Sequence, residues 1–267
     1  MRGDSQARFR ENLRVKLPWV TRLCVIFLMT ISQTSYLRTP PTRLTPKQVL
    51  IFNGIRYSID ICDFAFDRLT ENLYKFSFPQ DKLIPAFPLV FSDVWTIINN
   101  ATIFYNIVTR LFGIDKDDPI FEKIKGIEFL RHSQQHIDER IDEVLLEKEL
   151  PIYGSLSWYA QMEPDSMDGK IITIDSGTIT HRQAIKSSTV NPAGKNNDKR
   201  INDIEFSMVV KITKQYEVKT IKINELMTDL GLVINHFEGQ LVDQLKKHEP
   251  MERHKNDLII TLTTKRF

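Results

Sequence analysis

The sequence predicts an α+β fold: an all-α helical bundle over residues 46–150, then a smaller α+β module over 151–267 with a mostly antiparallel sheet and one long helix. Three observations carry that reading. Before Pro151, apolar residues recur at helical spacing in three long stretches, each opened or closed by a capping residue, Pro or Gly. After Pro151 the apolar runs shorten, become β-branched and partly alternate. The composition is 42% hydrophobic and 26% charged with 10 Gly and 12 Pro, which excludes disordered and collagen-like chains.

The first helix opens at Thr45-Pro46-Lys47-Gln48, with Thr as N-cap, Pro at the first helical position and Gln three residues after the cap. Val49, Phe52, Ile55, Ile59, Phe66, Leu69 and Leu73 carry it toward Phe78, and Pro79 stops it. Residues 79–88, with Pro79, Pro85 and Pro88, read as a connector. The second helix is expected from about Leu89 to Phe112, its buried side holding Trp95, Ile98, Thr102, Tyr105, Val108 and Phe112, with Gly113 as the stop. The third is expected from Asp118-Pro119 to about Leu150, along a stripe of Ile120, Ile124, Ile127, Leu130, Ile137, Ile141 and Leu145, with Gly126 as a site of bending. Ile152–Ala160, Lys170–Thr180, Ile204–Thr213 and Glu217–Ile223 read as strands, Asn224 to about His248 as a helix, and Leu258–Thr264 as a closing strand. Residues 184–202, with Pro192-Ala193-Gly194 and four cations, read as an exposed loop.

Charge is unevenly placed. The 36 Lys and Arg against 34 Asp and Glu leave a net of +2, a small surplus for a protein that coats nucleic acid without specificity. Residues 1–45 alone carry +6, so the body carries −4. The basic stretch followed by Leu23–Ile31 reads as a leader. Its nine largely apolar residues fall short of the roughly 20 that a membrane span needs. Met29 is the expected true start, with a secretory or anchoring leader and an ordinary amphipathic or unpacked segment as the competing readings. Cys24 and Cys62 make no disulfide framework, which favours a reducing, cytoplasmic setting.

The run Arg131–Ile141 carries the chemistry. At about 100° per residue on a helix, the apolar stripe faces the bundle, Arg131 lies at its edge, and His132 and His136 lie near the opposite side with Glu128, Glu139 and Glu143. Core packing therefore does not account for the two histidines. An imidazole titrates near neutrality and moves protons, and a guanidinium fork suits phosphate oxygens.

Arg131, the polar His132 and His136 resemble, in order and spacing, the Arg-x4–6-His signature of the HEPN superfamily, all-helical bundles with that motif on a late helix. The resemblance covers about residues 46–150. The runs Arg131–Ile141, Pro151–Trp158 and Val190–Lys195 also look like a group of bacterial proteins of unassigned function that carry such a helix. The resemblance implies metal-independent RNA cleavage, with Arg131 holding the phosphate, His136 as acid or base, and His132 orienting the pair where Asn often stands. It further implies a homodimer with the site between two motif helices, no cofactor, and an antitoxin or regulatory partner in a toxin or defence role. The mildly acidic body opposes a long polyanion, so a local surplus is required, for which Lys123, Lys125 and Arg140 are the nearby candidates. The alternative is a noncatalytic dimerisation or ligand-binding protein whose polar helix face is only an interface.

Other constellations are weaker. His132-x3-His136 has the spacing of two metal ligands on a helix, with Glu128, Glu139 or Glu143 as a third, but Ser133 stands where a zincin has Glu. Asp175-Ser176-Gly177-Thr178 resembles the loop of aspartic proteases, yet the chain supplies one such carboxylate, and a turn between strands is the simpler reading. No Gly-x-Gly-x-x-Gly, Cys-x-x-Cys or Gly-x-Ser-x-Gly occurs.

Overall fold

The computed structural model describes residues 29–78, 86–111, 114–122, 124–163, 168–177, 200–245, 252, 253 and 257. Residues 1–28 of the leader, Lys123, most of the expected 184–202 loop and the Leu258–Thr264 strand lie outside the described residues.

The first helix, α1 (Pro46–Ser77), starts as its sequence predicts. The Gln48 N–H donates to Thr45 Oγ1 and the Thr45 N–H to Gln48 Oε1 at 2.9 Å, the reciprocal box that satisfies two donors at once. It packs along α2 (Phe87–Leu111), burying Ile55, Ile59, Leu69 and Leu73 against Val94, Ile98, Ala101 and Val108. The two helices are also tied by charge: Asp93, 4% exposed, accepts from Arg68. Residues 29–45 belong to this packing, although the sequence places them with the leader. Ile31 and Leu37 are fully buried, Arg38 forks onto Asp60 at 2.6 and 2.8 Å, and the Thr30 N–H and hydroxyl both donate to Asp63. Burial pushes the Asp63 carboxyl above its ordinary range, against the two bonds from Thr30.

The expected third helix over 118–150 is not continuous. Asp118 does cap, accepting from the Ile120 N–H, but it opens only the single turn Pro119–Phe121. That turn seats Phe121 edge-on against Tyr105. Gly126 then takes φ +97°, a left-handed conformation that ends any helical approach, and α3 (Ile127–Gln135) begins after it. His136, at φ −116° and ψ 36°, breaks the helix again before α4 (Ile137–Arg140). A wide turn over Ile141–Leu145 leads into α5 (Leu146–Lys148). A wide turn inserts a residue and so shifts the helix phase. Leu145 of the expected stripe is buried with Val144 against Val209, while Ile141, where the wide turn begins, is 39% exposed.

The second half is an antiparallel sheet of β1 (Ser155–Gln161), β2 (Gly169–Asp175), β3 (Ile201–Ile212) and β4 (Gln215–Lys222), in the order β2-β1-β3-β4. A tight Thr213-Lys214 turn with two positive φ angles joins β3 to β4. On β3, Ile204, Phe206, Met208 and Val210 enter the main core, and Val209 on the other face meets Val144 and Leu145. The last helix, α6 (Ile223–Leu245), packs Leu226, Leu230, Ile234 and Phe237 into the same core. The core is continuous across residue 150: Trp95 of α2 meets Phe206 edge-on at 5.1 Å, and the Trp158 indole of β1 donates to Ser77 of α1 at 2.8 Å. The architecture is thus α+β, with helices at the N-terminal end, an antiparallel four-stranded sheet and one long helix after it. Among the described residues, no helix is long and apolar enough to cross a membrane.

Candidate functional site

A cleft of about 440 Å³ lies between α2, α3 and the end of β3. Thr102, Asn106 and Arg110 form one wall, four residues apart on α2 and so on one helix face. Glu128, Phe129, Arg131, His132 and Gln135 of α3 form the opposite wall, and Lys211 of β3 contributes a third side. At about 100° per residue, Glu128, Arg131, His132 and Gln135 span roughly 100° of α3, a single polar face. Two contacts fix that face. Ser133, 1% exposed, donates to the Val209 carbonyl at 2.6 Å and docks α3 on β3. Asn99 of α2 donates to Gln134 at 3.1 Å, with Ile127 and Leu130 in the core below.

Arg131 is half-buried in the cleft wall and His132 is exposed beside it. His136, the second half of the sequence motif, does not line the cleft. It sits at the helix break, its ring 4.4 Å from that of His132 and its Nδ1 3.2 Å from Glu139. The structure therefore brings together Arg131 and His132 and places His136 behind His132. Five helical positions already put Arg131 and His136 about 140° apart, and the break at His136 does not undo that separation.

The local charge comes from other residues than the expected ones. Lys125 pairs with Asp117, and Arg140 is 2% exposed, bound to Glu143 and set over the Tyr216 ring. The cleft cations are Arg131, Arg110 and Lys211. Among the described residues, neither guanidinium nor the Glu128 carboxylate has a hydrogen-bond or ion-pair partner. Lys211 is shared: its ammonium lies 2.7 Å from Glu143, which also accepts from the Tyr216 hydroxyl and Arg140. Those donors, Lys211 first and then Tyr216 and Arg140, hold the Glu143 carboxyl down at about 2. One signal for the missed wall was present in the sequence, namely the polar residues Thr102, Asn106 and Arg110 at four-residue spacing on α2. Lys211 had none, since it meets α3 only through the tertiary fold.

No family model, curated protein or solved structure matches this chain. The chemistry of the cleft must therefore be read from its own residues. Among the described residues no three His, Cys, Asp or Glu side chains come together in a way that would hold a metal ion. Glu139 faces His136 and Glu143 is held by three donors, so neither is disposed to join the two imidazoles. At the protease-like motif, Asp175 accepts from Ser155, while Ser176 accepts from the Tyr153 N–H and donates to the Gly154 carbonyl. With Gly177 at φ +57°, this is the closing turn of β2.

Proposed function

We propose that the chain is a metal-independent endoribonuclease of HEPN-like kind, acting at the α2–α3 cleft as a homodimer. The observation that supports it most is the pair of unpartnered guanidiniums, Arg110 and Arg131, sharing one cleft with an imidazole. Cleavage at a phosphodiester needs cations for the charge that gathers on the phosphate and a group that moves a proton. Arg131 and Arg110 serve the first need, and His132 the second. His136 is a positioning residue: its ring packs tilted against that of His132 and its Nδ1 is anchored to Glu139. In a toxin or defence setting an antitoxin or regulatory partner would cover the cleft.

The test is RNA cleavage by the purified chain in EDTA. Wild type is expected to cleave, and Arg131→Ala to lose cleavage while keeping its fold. RNA left intact by wild type overturns the proposal. The second reading is a binding protein for a small phosphate-bearing ligand, without cleavage. It is favoured by His132 being the single imidazole on the cleft among the described residues and by Glu143, which occupies Lys211.

A further inference from the structure

Resting on the endoribonuclease reading, we infer that Glu128 and His132 are the proton-transfer pair of the cleft and that this pair is complete within one chain. They stand four residues apart on α3, which sets their Cβ atoms about 5–6 Å apart on one face. Both line the cleft, with Arg131 on the same wall between them. Glu128 has two helical neighbours at pairing distance in sequence, Arg131 at i+3 and His132 at i+4. Surface groups so spaced commonly pair, yet among the described residues Glu128 pairs with neither. A carboxylate and a guanidinium without partners among the described residues share one wall with an imidazole whose contact is the His136 ring, so their polar atoms are available to a ligand. The Glu128 charge is also felt at Tyr105 of α2, whose phenol is pushed up by burial and, next, by that carboxylate.

The step balances without a metal or a co-reactant. The ribose 2′-hydroxyl gives its proton to the Glu128 carboxylate, and its oxygen forms a bond to phosphorus. The bond from phosphorus to the 5′ oxygen breaks, and that oxygen leaves with the electron pair and takes the proton of the His132 imidazolium. The products are a 2′,3′-cyclic phosphate and a 5′-hydroxyl. Glu128 ends protonated and His132 neutral, and exchange with water restores both. Among the described residues, the charged groups that line the cleft with this pair are Arg110 from α2, Lys211 from β3 and Arg131 from α3 itself, and the titratable ring of His136 lies 4.4 Å from that of His132. From β4, the Lys219 ammonium approaches Gly126 at the start of α3.

The test is Glu128→Gln in the full chain. Glu128 is exposed, so the change leaves the packing intact. The expected result is a loss of about 100-fold or more in kcat, the range for removing a general base. The acidic limb of the pH–rate profile should disappear with it, while His132→Ala should remove the alkaline limb. Binding of an RNA carrying a 2′-deoxy sugar at the cleaved position should be kept or tightened in Glu128→Gln, since a negative charge has left a phosphate site. Wild-type products should end in 2′,3′-cyclic phosphate. If wild type cleaves RNA but Glu128→Gln keeps its rate and its acidic limb, this inference falls and the endoribonuclease reading stands. If wild type cleaves nothing, both fall together.

Discussion

Exchanging the two histidines one at a time separates the cleft geometry from the sequence motif. His132 lines the cleft beside Arg131, whereas His136 lies outside it, with 40% of its side chain exposed and its Nδ1 on Glu139. A group that transfers the proton contributes about 10²–10⁴-fold to the rate. A ring that only stacks on it contributes about 0.5–1.5 kcal/mol of orientation, which corresponds to about 2–10-fold if all of it is lost. His132→Ala should thus lower single-turnover cleavage of a fluorescent RNA, in EDTA at saturating enzyme, by at least about 100-fold. His136→Ala should lower it by about 10-fold or less. Neither residue is buried, so both variants should keep the wild-type circular dichroism and melting profile to within about 1 kcal/mol. The reasoning is refuted if the order is reversed, with His136→Ala nearly inactive and His132→Ala close to wild type. That outcome would mean that the helix rearranges at its break when RNA binds, or that the second subunit's histidine enters the cleft.

Two further expectations concern the frame that holds the cleft. Ser133→Ala should destabilise the fold by about 1–2 kcal/mol in urea titration, because the Val209 carbonyl loses a buried donor that nothing else replaces; an unchanged midpoint would show that α3 is docked by its apolar contacts alone. Glu143 makes an acid-side contribution whose sign follows from its carboxyl being held down at about 2, chiefly by Lys211 and then by Tyr216 and Arg140. A carboxyl lowered in the folded state stabilises above its ordinary value of 4.5 and loses that effect as pH falls toward 2. The stability gap between wild type and Glu143→Gln should therefore be constant above about pH 5 and close toward pH 2, and a gap that widens on acidification would contradict the ion-pair geometry.

What was legible in the sequence is what local chemistry decides. The start of α1 is set by Thr45, Pro46 and Gln48 alone, and the four strands and α6 fall within a few residues of their expected bounds because the apolar period changes where the structure does. The third helix departs from its expected continuity because its interruptions answer to tertiary demands. The stripe at helical spacing includes Leu145, which is buried, but it cannot reveal that Val144 joins Leu145 on the far face of β3, nor that a wide turn interrupts the helix there. The candidate site divides in the same way. Arg131 and His132 were visible as a polar pair on one helix. Arg110 and Lys211 join them only because α2 and β3 are packed alongside, and no spacing within α3 encodes that. Lys125 and Arg140 are spent on ion pairs instead of the cleft: Arg140 meets Glu143 three residues on, and Lys125 meets Asp117 across the Pro119–Phe121 turn.

The acidic body of the chain and a polyanionic substrate are compatible if binding is local, and the salt dependence tests whether it is. At physiological ionic strength a charge is screened beyond about 8 Å, so a phosphate in the cleft responds to contacts with Arg110, Arg131 and Lys211, opposed by Glu128 and by the Glu143 that shares Lys211, rather than to the −4 of residues 46–267. Three such contacts to a single strand release few counterions, giving a slope of log K against log salt of about −2. Arg131→Ala should flatten that slope by about 0.7 and weaken binding by about 10-fold or more, the loss of one charge-assisted hydrogen bond. The measurement is fluorescence anisotropy of a 2′-deoxy-substituted oligonucleotide across a salt series. A slope steeper than about −4 would place most of the binding on a basic surface outside this cleft, and the residues of α2 and α3 would then not be the ones that hold the strand.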